Sequence, residues 1–137
     1  SEKISLLDIT GFHVDSGATH FAVEYPNISN QKVKELGAKI RCHKVFQPRG
    51  VNVNFYEVIN SNEINVKTYE KGIENLMMSC GSGSVACAYH LYQTNQIQSP
   101  VKINVLGGEL ELEFNKTWDN VWLSGLAQIE YQTEINI

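Results

Sequence analysis

Met77-Met78-Ser79-Cys80-Gly81-Ser82-Gly83-Ser84-Val85-Ala86-Cys87-Ala88-Tyr89-His90-Leu91-Tyr92 is the stretch on which the fold turns. A cysteine stands at a glycine-flanked turn, and a run of small apolar residues follows. The run predicts a helix from about Gly81 to Gln96. Val85, Ala86, Cys87, Ala88 and Leu91 make it apolar on nearly all sides, the mark of a helix enclosed by protein. A second helix is expected from about Asn30 to Arg41, with Ser29 or Asn30 as N-cap. Its single apolar stripe, Val33, Leu36, Gly37 and Ile40, suits a surface position.

Strand signals fill the rest: Ile4 to Ile9, His20 to Tyr25, Val51 to Ile59, Ile64 to Tyr69, Val101 to Leu106, Glu109 to Phe114, Val121 to Ser124 and Ala127 to Gln132. Leu110, Leu112 and Phe114 alternate with Glu109, Glu111 and Glu113, so one face of that strand is buried and the other wet. Asn60-Ser61-Asn62, Gly107-Gly108 and Asp119-Asn120 separate strands as turns. The expected architecture is an α/β (α+β) domain over residues 1–137, a curved, mostly antiparallel sheet wrapped round one central helix.

The gross features exclude several function classes. The net charge of −4 gives nothing to attract nucleic acid, and no Lys/Arg cluster rises above a solvated face. No apolar run is as long as a membrane span, and no signal peptide is visible. The cysteines, Cys42, Cys80 and Cys87, are too few and too odd for a disulfide framework, which suggests a reducing, cytoplasmic setting. Cys80 and Cys87 lack zinc-ligand spacing, so no metal is expected. Cys87 reads as a core residue.

Cys80 is the candidate for chemistry. At a helix N-terminus the unpaired N–H groups and the positive dipole end lower a thiol's pKa. The same amides, at Gly81 and Ser82, can hold a carboxylate. A proton-transferring thiol beside a carboxylate cradle suggests chemistry on an amino or carboxylic acid. A tight turn with a buried cysteine is the plain alternative. Glu70 closes the strand before Cys80 and can reach the thiol from the same sheet edge, or be only a solvated strand-end charge. His20 opens an apolar strand and suits proton transfer near neutral pH, or is a satisfied core histidine. His13, His43 and His90 have weaker contexts. Asn52 and Asn54 alternate with Val51, Val53 and Phe55; one of them could hold a substrate group, or both could be plain strand polars.

Four motifs then fall in order: Gly17-Ala18-Thr19-His20, Gly50-Val51-Asn52-Val53-Asn54-Phe55, Tyr69-Glu70-Lys71-Gly72 and Ser79-Cys80-Gly81-Ser82-Gly83. With Leu106-Gly107-Gly108-Glu109-Leu110 and Leu123-Ser124-Gly125, they resemble the C-terminal half of the diaminopimelate epimerase family. The resemblance implies two pseudo-symmetric halves, each a sheet around a helix, with the active site between them. It implies catalysis by two cysteines, one per half, without a cofactor. Carried onto this chain, it makes Cys80, Glu70 and His20 catalytic, and Asn52, Lys71, Gly81 and Ser82 substrate-binding. The expected partners are an amino-acid substrate and a missing N-terminal half carrying the second cysteine, with a homodimer left open.

Departures concern the substrate's far end. Lys71 stands where the family has arginine, and keeps the charge without the bidentate fork. Ala18 stands where the family has asparagine, and Leu76-Met77 where it has Glu-Thr. These changes favour a diverged amino-acid racemase, such as a histidine racemase of opine-metallophore biosynthesis, over diaminopimelate epimerase proper. A non-catalytic binding module is the reading from another class. Leu76-Met77-Met78-Ser79 before the Cys-Gly argues against a proline-racemase-like enzyme.

Overall fold

A computed structural model describes residues 2–15, 18–77, 81–125 and 133–134. Ten strands among them form one sheet: β1 (Glu2–Leu6), β2 (Ile9–Asp15), β3 (Thr19–Glu24), β4 (Asn52–Asn60), β5 (Glu63–Glu70), β6 (Asn75–Met77), β7 (Val101–Val105), β8 (Gly108–Phe114), β9 (Val121–Gly125) and β10 (Thr133–Glu134). The spatial order is β1-β2-β3-β4-β5-β7-β8-β9-β10. β6 pairs with the far end of β5, beyond the part paired to β7. Two helices are present, α1 (Asn30–Arg41) and α2 (Gly81–Gln93).

All neighbours are antiparallel except β3/β4 and β5/β7, and each parallel pair is bridged by a helix. Such crossovers are right-handed. The chain steps the same way across the sheet in both, but β5 and β7 run opposite to β3 and β4. One hand therefore puts α1 and α2 on opposite faces of the sheet.

The three central strands are buried on both sides as a result. Phe21, Val23, Val53, Phe55 and Tyr69 pack with Val33, Leu36 and Ile40 of α1. Ala22, Tyr56, Ile64 and Val66 pack with Val85, Cys87, Ala88 and Leu91 of α2, and β7 to β9 extend this second core through Ile103, Leu110, Leu112 and Leu123. Val85, Ala86, Cys87, Ala88 and Leu91 are all fully buried, so the sheet does wrap the second helix while α1 presents one stripe. Ser29 caps α1, its side chain accepting from Lys32 N–H at 3.0 Å.

Two expectations need correction, and one strand is additional to those expected. The strand expected from Ile4 to Ile9 is broken by a two-residue hairpin at Leu7 and Asp8, both at positive φ, and a separate strand β2 follows. Leu-Asp lacks the glycine that usually announces such a turn. β6 is a strand that the sequence does not announce, because three residues make too short a pattern. α2 ends at Gln93 rather than Gln96. Asn95, at φ 61°, closes it with Asn95 N–H on the Tyr92 carbonyl (3.0 Å) and Gln96 N–H on the Leu91 carbonyl (2.8 Å), a C-terminal motif in which glycine is the usual signal. The expected strand Ala127 to Gln132 lies outside the described residues.

Candidate active site

β3 and β4 begin, and β5 ends, at the same sheet edge. The register His20↔Asn52 and Val53↔Tyr69 carries Glu70 alongside Asn52, so alternation puts His20, Asn52 and Glu70 on the face that α2 covers. One pleat deeper on this face lie Asn54 and Thr68, which are directly paired. His20, Asn52, Asn54 and Thr68 are all buried. α2 begins at Gly81, the residue after Cys80. Cys80 itself lies outside the described residues, and so does the Ser16-Gly17 pair before His20. Gly81 is half-buried as the first residue of the helix, and Ser82 is exposed.

The buried polar groups form a chain. Thr68 Oγ1 donates to Asn54 Oδ1 at 2.7 Å, and Asn54 Nδ2 lies 2.9 Å from His20 Nδ1. Asn52 Oδ1 accepts from the Lys71 backbone N–H at 2.7 Å, which ties the start of β4 to the turn after Glu70. Thr19 Oγ1 donates to the Gly50 carbonyl at 2.9 Å and fixes the entry of β3 against that of β4. Gly50 has φ +78°, and a Cβ there would come within 2.7 Å of Arg41 Nη1 and 3.0 Å of Lys71 Cδ. Gly83 admits the first turn of α2 to the strands: a Cβ on it would collide with Asn54 Oδ1 and lie 3.2 Å from Thr68 Oγ1.

Burial pushes the His20 imidazole down from 6.5 to about 4; the Asp15 carboxylate opposes the shift and His13 adds to it. His20 is therefore neutral at pH 7. Its Nε2, and Ser84 Oγ in α2, are buried with no hydrogen-bond partner among the described residues. The Lys71 ammonium donates to the Arg49 carbonyl at 2.8 Å, so this charge is already engaged by backbone.

The structure thus brings His20, Asn52 and Glu70 to one edge, at which α2 also starts. It places Lys71 at the same edge, with its head group turned to Arg49. Sequence reasoning passed over Thr68, read Gly83 only as part of the turn at Cys80, and left Asn54 undecided. One signal was available for Thr68: Ile64, Val66 and Thr68 share the inward face of β5, and the last of them is polar at a buried position. Among the described residues no group of three or more His, Cys, Asp or Glu could hold a metal ion. No helix among them is long and apolar enough to cross a membrane.

Residues 12–129 match the family model described as diaminopimelate epimerase. The chain is similar to the diaminopimelate epimerase of Aquifex aeolicus, with 35% identity over 86% of this chain and 43% of that protein. The Flavobacterium psychrophilum diaminopimelate epimerase is 34% identical over 98% of this chain and 54% of that protein. The chain spans about half the length of these curated relatives. Among solved structures, a Bacillus anthracis phenazine biosynthesis protein of the PhzF family aligns with a TM-score of 0.61 at 16% identity, over 84% of this chain and 39% of that one, a likeness of fold.

Proposed function

Because the chain belongs to the diaminopimelate epimerase family, we propose that it supplies one half of the active site of a cofactor-independent isomerase that inverts the α-carbon of an amino acid. The observation that carries this reading is the edge at which His20, Asn52 and Glu70 converge where α2 starts, one residue after Cys80. Inversion needs a base on one face of the α-carbon, an acid on the other, and fixed positive character around the carboxylate. In this reading the α C–H bond breaks as one thiolate takes the proton, and the carbanion takes a proton from a second thiol on the opposite face. No net redox change occurs. Cys80 serves one face; the other belongs to a cysteine outside this chain. The Gly81 and Ser82 amides receive the α-carboxylate, Asn52 binds substrate, Lys71 does so only on leaving the Arg49 carbonyl, and Glu70 and His20 assist the thiols.

The substrate that best fits the relatives' printed names is diaminopimelate, which reverses the order favoured on sequence alone. The racemase reading is kept because one observation favours it. The Lys71 ammonium is held by the Arg49 carbonyl, and Ala18 offers no side-chain amide. Within this chain a second zwitterionic end then has fewer partners, and a substrate without one, such as histidine, leaves fewer polar groups to satisfy.

Deuterium uptake from heavy water into the α-position decides between these readings, with full-length enzyme, pyridoxal phosphate removed and metals chelated. Exchange into diaminopimelate alone supports the first reading, and exchange into histidine alone the second. Cys80→Ser should abolish inversion while leaving one-sided exchange through the other cysteine, and the isolated 137-residue chain should be inactive. Absence of exchange across a panel of free amino acids would leave a binding module built on the same half-fold.

A further inference from the structure

His20 has two ring nitrogens, and the residues behind it determine which one carries the proton. Nδ1 meets Asn54 Nδ2 at 2.9 Å, while the buried Nε2 has no hydrogen-bond partner among the described residues. The Asn54 amide could in principle lie either way round between His20 and Thr68. The first turn of α2 distinguishes the two arrangements. The atoms of Asn54 and Thr68 nearest to Gly83 are Asn54 Oδ1, then Asn54 Cγ and Thr68 Oγ1. The start of a helix carries positive character, which favours a carbonyl oxygen there over an NH2 group. With Oδ1 turned to the helix and accepting from Thr68 Oγ1 at 2.7 Å, Nδ2 is left facing His20. An amide NH2 only donates, so Nδ1 must be the bare acceptor nitrogen and the proton sits on Nε2.

We propose that Asn54, held by Thr68, is a positioning residue that locks His20 as its Nε2–H tautomer, so that His20 enters the site as a neutral hydrogen-bond donor and not as a proton acceptor. The lock is complete within this chain. It deepens the isomerase reading by assigning His20 an anionic target, a substrate carboxylate or a thiolate, which the unpartnered Nε2–H stabilises. Gly83 is part of the device, because any side chain there would displace the Asn54 oxygen from the helix end. Burial assists by disfavouring the imidazolium, which has no bare nitrogen for Asn54 to donate to.

Nitrogen-15 spectra of histidine-labelled chain at pH 7, with His20 assigned by His20→Gln, read the tautomer directly. The expected result is a single tautomer with Nε2 protonated and Nδ1 bare. Asn54→Asp offers His20 an acceptor in place of a donor and should put a proton on Nδ1, as the Nδ1–H tautomer or as the imidazolium that a neighbouring carboxylate favours. Thr68→Val removes one of the two holds on the amide and should let the Nδ1–H tautomer appear as a minor form beside Nε2–H. An Nδ1–H tautomer or an imidazolium in the unmodified chain overturns the proposal. So does a tautomer that neither variant alters. If Asn54→Asp does not fold, the unmodified chain and the near-isosteric Thr68→Val decide the question. In the full-length enzyme, Asn54→Asp should lower kcat/KM for α-proton exchange by about ten-fold or more, through kcat where the target is a thiolate and through KM where it is the substrate carboxylate. An enzyme that exchanges no amino acid but keeps the Nε2–H tautomer defeats the isomerase reading and spares the lock. Exchange by an enzyme with the wrong tautomer does the reverse.

Discussion

The two faces of the central strands differ in one respect. Toward α1, β3, β4 and β5 present Phe21, Val23, Val53, Phe55 and Tyr69 as one continuous apolar surface; Thr19 lies at one end of it, and Lys67, Asn65 and Glu57 at the other, where the Lys67 ammonium reaches the Ile28 carbonyl. Toward α2 the same strands present Ala22, Tyr56, Ile64 and Val66 at one end and His20, Asn52, Asn54 and Thr68 at the other, all buried. Burying unpaired polar groups opposes folding, whereas an apolar face does not. The polar end is retained with its groups linked to one another, and with Nε2 of His20 left without a partner among the described residues. A fold built for stability alone would have made both faces alike. The difference marks the α1 face as the support and the near end of the α2 face as the working surface.

The largest effect should come from the support. Phe55 is almost wholly buried on the α1 face and makes an edge-on contact with Tyr25. Phe55→Ala removes a ring that no neighbour can replace, at about 3–5 kcal/mol, measured by urea unfolding. A loss below about 1 kcal/mol would mean that the α1 face is not a tightly packed core.

A comparable effect, from the working end, appears as pH dependence. His20 titrates near 6.5 when unfolded and at about 4 in the fold. Between these values the unfolded chain binds more protons, so His20 makes stability fall as pH drops from about 6.5 to about 4, by about 3 kcal/mol in all, with no further loss below. Burial shifts His90 in the same direction and adds to the slope. The comparison is therefore made with His20→Gln, which should flatten the curve in that window. Identical slopes in the two proteins would show that His20 is not buried neutral.

The support was legible from sequence and the working surface only in outline. The stripe of α1 and the all-round apolar character of α2 gave their environments because burial is written in residue type. Their placement on opposite faces was not legible, since it follows from the direction of β5 and β7 relative to β3 and β4, a property of pairing. The Leu7-Asp8 hairpin was missed because leucine does not signal positive φ and an aspartate without a following glycine signals it only weakly. At the site, His20, Asn52 and Glu70 could be named from motif and strand ends. The His20–Asn54–Thr68 chain could not, because it joins three strands through the β3/β4 and β4/β5 registers.

A smaller effect tests the close approach at Gly83. Gly83→Ala forces a Cβ against Asn54 Oδ1 in a first turn with no room to give, at about 1–3 kcal/mol. Asn54→Ala clears that space, so in Gly83→Ala/Asn54→Ala the cost of the added methyl should largely vanish. Thermal unfolding of the two single variants and the double variant measures this coupling. Strict additivity would mean that α2 and Asn54 do not touch, and the two faces would then differ only in composition.

The smallest effect comes from a reciprocal exchange on β5. Val66 and Thr68 share one face two residues apart, the first in the apolar end and the second in the polar end. Val66→Thr places a hydroxyl among apolar side chains and should cost about 1–3 kcal/mol. Thr68→Val keeps the shape and removes one donor. Its loss should be about 1 kcal/mol or less, because Asn54 Oδ1 still faces the positive end of α2. Denaturant midpoints of the two variants give the comparison. Equal costs would mean that residue type and not position governs β5. A greater cost for Thr68→Val would mean that the hydroxyl is a structural tie for the strands rather than a hold on the Asn54 amide.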